Sequence, residues 1–335
     1  MGFPVLFADA ALQPYLQAVL DGLAMGALFA LVALGYTMVY GIIELINFAH
    51  GDLFMLGTFC GLTVLAALGL TGNAASGAGL GMVLLGCGTM LIVVPLFCAA
   101  LNWSVDRVVY KPLRNAPKLA PLVSAIGVSF VFMNLGMFWN ALVPENGQSV
   151  PAPADRNFPG FEAQLDPSRN LLGADSTLRF TVKDAMIIGV TVPIMIALTL
   201  FVKYAPLGKA MRATAQNPTA ARLMGIDVDR VIGATFMIGG ALGGVASVIY
   251  ALSVRTISFQ IGFQNGLYAF TAAVLGGIGN IPGAVLGGIL IGLTRSFGSA
   301  LIGEKWTSAL VFVILIVILV FRPTGLLGSR TREKV

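Results

Sequence analysis

The run LVFVILIVILVF, residues 310–321, contains no polar side chain. Such a stretch has no face to offer water, so it must be buried in protein or in lipid. It also lacks the apolar–polar alternation of a membrane-barrel strand. Comparable runs recur along the chain. A helix needs about 20 apolar residues to cross the hydrocarbon core. By that measure the sequence predicts spans near 17–40, 53–72, 79–101, 120–143, 184–204, 231–252, 265–279, 284–303 and 306–322. The second and seventh are short or rich in glycine, which leaves eight or nine crossings. Charged residues make up 10% of the 335, against roughly 25% in soluble domains. The expected fold class is all-α: a polytopic integral membrane bundle of eight to nine helices with broken or re-entrant segments.

Orientation follows from the cations. Residues 106–118, 203–230 and the tail from Arg322 onward hold 13 of the 20 basic residues, so these segments are placed in the cytoplasm. Segment 144–183 mixes acids and bases with Pro, Asn and Gly, and reads as the large external loop. Nine crossings would put the N-terminus outside and the C-terminus inside. The first fourteen residues lack a basic region, so no cleavable signal peptide is expected. The longest extramembrane piece, about 40 residues, is too short for an independent core. One membrane domain over 1–335 is therefore expected, with any ATP chemistry in other chains. GSALIGEKWT (298–307) imitates a phosphate-binding loop, but Glu304 stands where the lysine belongs and no strand precedes it. The net charge of +5 is not clustered as a nucleic-acid face requires. Cys60, Cys87 and Cys98 lie in apolar runs and read as small buried hydrophobes.

Glycine is patterned. GLAMG (22–26), GGALGG (239–244), GAVLG (283–287) and GILIG (288–292) carry small residues four apart, the spacing that lets helix backbones approach closely in lipid. LGGIGNIPGAVLGG (275–288) is too rich in Gly and Pro to continue one helix. It reads either as a broken membrane helix or as a turn at the cytoplasmic surface. Its GN-I-PG faintly echoes IN-F-A-HG at 46–51, a hint of internal repetition.

The most legible polar stretch is PLGKAMRATAQNPTAARLMGIDVDRV (206–231). Asn217 suits a helix N-cap and Pro218 the first helical position. Gly225 can close the short helix in the left-handed conformation, and Asp227 can cap the next span. Two short helices are expected across the cytoplasmic mouth. They form either a solvated loop or a docking surface in which Arg212, Asn217, Pro218, Ala220, Ala221 and Gly225 take part.

ELINFAHGDLFMLGTF (44–59) gathers Glu44, Asn47, Asp52 and the single histidine, His50, in a chain that avoids charge. On a helix Glu44, Asn47 and Gly51 would share a face, and Asp52 would sit near a helix N-terminus. The stretch reads as a polar, partly broken element of a translocation route, or as a hydrogen-bond knot that fixes the fold. Asn280 and the mid-span Asn134 join the candidates, Asn134 with bonding across helices preferred. Asp21 is placed near the external start of the first span, and Arg295 is expected to snorkel outward. One histidine without a neighbouring cysteine offers no metal site, and no nucleophile–base pair supports catalysis.

ALGYTMVYGIIELINFAHGDLFMLG, the 206–231 segment, AAVLGGIGNIPGAVLGG and LVFRPTGLLG together resemble the permease subunits of branched-chain amino acid ABC importers, most nearly the smaller permease of the usual pair. The resemblance implies several partners: a second, related permease, two cytoplasmic ATPases that use ATP and Mg, and an external solute-binding protein. It implies no cofactor in this chain, and a multi-pass location in the bacterial cytoplasmic membrane. NPTAARLMG would contact the ATPase, with Ala220, Ala221 and Gly225 as its small-residue core. Urea and short-amide importers share these motifs. A stand-alone ion-coupled transporter is the competing class, but the spans lack its buried acids. An intramembrane enzyme lacks a catalytic set.

Overall fold

The computed structural model describes residues 13–70, 80–114, 116–117, 119–142, 156–157, 182–254 and 256–328. Its long helices are α1 (Gln13–Ile43), α2 (Ala49–Ala67), α3 (Leu80–Val105), α4 (Leu119–Leu142) and α5 (Val182–Tyr204). Two short helices follow, α6 (Pro206–Gln216) and α7 (Pro218–Leu223). Then come α8 (Val228–Val254), α9 (Ile261–Gly276), α10 (Ile281–Leu301) and α11 (Glu304–Phe321). A π-helical turn, Asp106–Tyr110, extends α3.

Eight of these helices are long and apolar enough to cross a membrane. The remaining expected span, the seventh, is α9, whose 16 residues reach about 24 Å, short of the ~30 Å hydrocarbon core. The chain is thus a multi-pass membrane protein with eight full-length spans among its described residues and one shorter helix. Most of the expected boundaries hold to within a few residues, but the second span begins at Ala49 rather than Leu53.

Helices α1, α2, α8 and α9 bury most of their residues, while α4, α5 and α11 turn most of their surface outward. The glycine spacings explain the close contacts. Gly22 and Gly26 of α1 lie against Leu293 and Ile289 of α10, and Gly288 and Gly292 of α10 lie against Ala30 and Gly26. A methyl group on Gly26 would stand 2.8 Å from the Ile289 Cα. The helices are antiparallel and touch backbone to backbone. On α8, Gly239 faces Gly35 of α1, Gly240 faces Cys98 and Asn102 of α3, and Gly244 sits against Pro95. In lipid this dispersion packing replaces the hydrophobic drive. Gly292→Ala, whose methyl would land on the Gly26 backbone, is expected to cost about 1–2 kcal/mol. Thermal unfolding of the detergent-solubilised chain reads this out, and an unchanged midpoint would show a looser crossing.

Several ends gather on one face. The 106–114 segment meets the start of α8 through an Arg114–Asp229 ion pair. Gly41 packs on Gly279, and Gly277 on Gly328. These are the basic segments assigned to the cytoplasm. The expected external loop, 144–183, lies outside the described residues except for Arg156–Asn157 and the start of α5. Those two residues pair antiparallel with Thr256–Ile257, which brings the α8–α9 connection beside that loop. Of the tail, 329–335 lies outside the described residues.

Candidate functional site

Ile43 does not lead straight into α2. Glu44 takes φ 53°, the left-handed conformation that usually falls to glycine, and residues 44–47 leave the helix. The shared helical face of Glu44, Asn47 and Gly51 therefore does not exist. Instead the chain turns back into the bundle. His50 stands beside Gly35, eight residues before the end of α1 and so about 12 Å along the helix axis from it. This is a re-entrant entry into α2, and its backbone groups must be met inside the protein. The Asn47 Oδ1 accepts from the Ala49 N–H at 3.1 Å. The Asn47 Nδ2 donates to the Asn102 Oδ1 at 3.2 Å, and the Asn102 Nδ2 donates to the Phe236 carbonyl at 2.7 Å. Three elements, α3, α8 and the start of α2, are locked by two amides.

His50 and Asp52 are as deeply buried as Asn47. The imidazole lies edge-on to the Tyr36 ring, 4.8 Å between centroids, in a notch left by Gly35 and Gly243. Neither ring nitrogen has a hydrogen-bond partner of good geometry among the described residues; the polar group set toward the ring is the Val32 backbone of α1. Asp52 accepts from the Ser129 hydroxyl of α4. Its other oxygen is unbonded and faces Gly262, where a methyl group would come to 2.6 Å. Within this chain the trio packs inside the subunit and lines no surface. Glu44 is exposed.

The second interruption joins α9 to α10. Gly277 and Gly279 have φ 106° and 89°. Asn280 caps α10 by accepting from the Gly283 N–H at 3.1 Å. The segment after α11 closes the gap. The Leu326 and Leu327 N–H groups donate to the carbonyls of Leu275 and Gly276 at 2.8 and 3.0 Å. The Asn280 Nδ2 donates to the Leu327 carbonyl at 2.7 Å. The interruption is thus a turn between two helices, sealed by another part of the chain. Asn134 is exposed on α4 and donates to the Phe130 carbonyl of its own helix at 2.8 Å, so it bonds along its helix rather than across. Asp21 accepts from Gln17 at 2.8 Å. Arg295 does not snorkel free: it lies over the Phe29 and Tyr268 rings and 3.7 Å from Glu304.

The arm formed by α6 and α7 is built by local signals. Met211 and Thr214 of α6 are buried with Gly208. Arg212 points outward and donates to the Lys203 carbonyl at 3.0 Å. Asn217 caps α7, accepting from the Thr219 and Ala220 N–H groups, each at 3.0 Å, with Pro218 at the first position. Gly225 ends the arm at φ 81°, and Asp227 caps α8 by accepting from the Arg230 N–H at 3.1 Å. Ala220 is exposed, but Ala221 is buried against the subunit, so the expected Ala220–Ala221 face divides. The exposed apolar residues are Leu223 and Met224, at 85% and 82%. Sequence reasoning passed over them because an isolated apolar pair in a polar loop carries no period.

Residues 18–320 match the family model described as the permease component of the branched-chain amino acid transport system. The chain belongs to that permease family. The high-affinity branched-chain amino acid transport permease LivH of Escherichia coli K12 is 39% identical over 96% of this chain and 98% of its own length. BraD of Pseudomonas aeruginosa, likewise a high-affinity branched-chain amino acid permease, is 39% identical with the same coverage. A probable branched-chain amino acid permease, LivH of Methanocaldococcus jannaschii, is 26% identical over 90% of this chain. No solved structure matches. As a member of this permease family, the chain is a transport subunit rather than an enzyme, and both its glycine-packed bundle and its sealed helix break fall inside or beside the matched region.

Proposed function

We propose that this permease forms the membrane path by which an ATP-driven importer brings branched-chain amino acids into a bacterial cell. In this reading it sits in the cytoplasmic membrane beside a second, related permease. Two cytoplasmic ATPases, using ATP and Mg, engage its arm, and an external binding protein delivers the substrate. The observation that carries the proposal is the likeness to LivH and BraD, which spans nearly the whole chain. Leu223 and Met224 support the docking role, since two large apolar side chains held out on a short, doubly capped helix suit a groove on a partner. Glu44 is exposed and Asn280 half-buried at the two helix interruptions, and they border the exit. Asn47, His50 and Asp52 fix the position of that exit from inside the subunit.

Reconstitution tests this. Co-purified with its partner chains and placed in liposomes with the binding protein outside, the permease should take up labelled leucine only when ATP and Mg are enclosed. Uptake by the chain alone without ATP would overturn the proposal, and so would ATP-dependent import of urea or acetamide with no leucine uptake.

A further inference from the structure

Asn102 lies one helical turn before Asp106 on the far end of α3, and both side chains are 1% exposed. Neither serves the exit directly, yet each anchors an ordered chain of contacts. On the cytoplasmic side, α7 leads to α8 through only four residues, Met224–Asp227. The link is stiffened by the Asp227 cap and by an Arg230–Asp227 ion pair at 2.9 Å. Asp229, on the first turn of α8, meets Arg114, with Lys111 at 3.4 Å and Arg222 of α7 at 4.0 Å. The other arm of Arg114 reaches Asp106 at 2.7 Å. Arg114 is therefore a two-pronged clamp between the start of α8 and the buried end of α3. A planar, always-charged guanidinium suits that task in a way lysine does not. One turn further into the membrane, Asn102 spends its amide on two partners, donating to the Phe236 carbonyl and accepting from Asn47. Asn47 in turn holds the first N–H of α2, and His50 follows one residue later. Polar contacts thus run from the docking arm to Asp106, and from Asn102 to the re-entrant start of α2, and one turn of helix backbone joins the two runs.

We propose that Asn102 is a positioning residue, joined to the arm by Arg114, that makes the start of α2 move with α7 when a cytoplasmic partner shifts it. The inference rests on the reading of α7 as the docking element. A displaced arm carries Asp229, Asp229 pulls Arg114 and so the end of α3, and the Asn102–Asn47 bond passes the shift to the turn that sets the exit. Such a link matters for yield per ATP, not for ATP hydrolysis itself. A chain of contacts becomes a coupling path only when its members are shown to act together.

The test uses the whole transporter in proteoliposomes, with leucine uptake and ATP hydrolysis measured together. Asn102→Leu removes both amide bonds and keeps the branched outline of the side chain, at a larger volume. Asn47→Ser keeps an oxygen for the Ala49 N–H but cannot reach Asn102. Arg114→Gln breaks the clamp, leaving Asp229 to Lys111 and Arg222, and Asp106 without its ion pair. Each variant should assemble and hydrolyse ATP near the wild-type rate while carrying about five- to tenfold less leucine per ATP. Asn102→Leu combined with Arg114→Gln should be no worse than the worse single variant, because one link is broken twice. A normal yield per ATP in Asn47→Ser overturns the proposal, as do losses that multiply in the double variant. Uptake that falls only as assembled complex falls also overturns it and makes Asn102 a packing residue. If Asn102→Leu does not fold, Asn47→Ser decides alone. The docking reading fails separately, if a chain carrying Leu223→Glu and Met224→Glu still holds its ATPases.

Discussion

A permease carrying both Leu223→Glu and Met224→Glu is expected to reach the membrane, fold, and lose its cytoplasmic ATPases. Both side chains are almost fully exposed, so the free subunit gains charge at no packing cost. The penalty arises only on docking, where two carboxylates would enter an apolar groove without partners. Residues at the centre of an interface commonly cost about 2 kcal/mol or more when lost, and two such positions weaken association by about 1,000-fold. Co-purification from detergent measures this, with thermal unfolding of the isolated chain as the control. Retention of the ATPases at wild-type ratio would place the docking surface elsewhere. Ala221 is a poorer probe, because a large residue there would disturb the subunit before it met any partner.

The second large effect is internal. Gly35→Val is expected to destabilise the permease by about 3 kcal/mol and to leave little folded chain in the membrane. A Cβ at Gly35 would fall on the His50 imidazole and come within 3.1 Å of the Gly239 carbonyl. The ring cannot step aside, with Tyr36 against one side and Gly243 on another. Removing the obstacle should help: Gly35→Ala with His50→Ala is expected to unfold later than Gly35→Ala alone, a positive coupling in a double-mutant cycle. Additive losses would mean that His50 and Gly35 do not oppose each other.

Local chemistry made part of this structure readable in advance. Asn217, Pro218, Gly225 and Asp227 each act within three residues of themselves, so the arm follows from sequence order alone. The glycine spacings announced close helix contacts, although not which helices meet. The start of α2 reads as polar and partly broken, but its shape is not legible, because Glu44 adopts a left-handed turn that few non-glycine residues take. Asn102 and Arg114 escaped attention for another reason. Asn102 sits in an ordinary span end, and Arg114 was counted only as a topogenic charge. Their partners are 55 and 115 residues away, and no local pattern encodes such distances. Ala221 shows the same limit on a smaller scale: the side of a two-turn helix that faces its own subunit is decided by neighbours, not by the helix.

The seal over the α9–α10 turn has a consequence for how the molecule is made. The groups that satisfy Leu275, Gly276 and Asn280 come from Leu326 and Leu327, the last of these 47 residues beyond Asn280. A ribosome makes them only after it has made α10 and α11. Until then the end of α9 keeps open carbonyls, and the two glycine-rich turns have nothing to rest on. The closing contact of the fold is therefore the docking of residues 326–327 on the α9–α10 turn. A chain stopped at Arg322 would have every full-length span in place and still lack its closing contact.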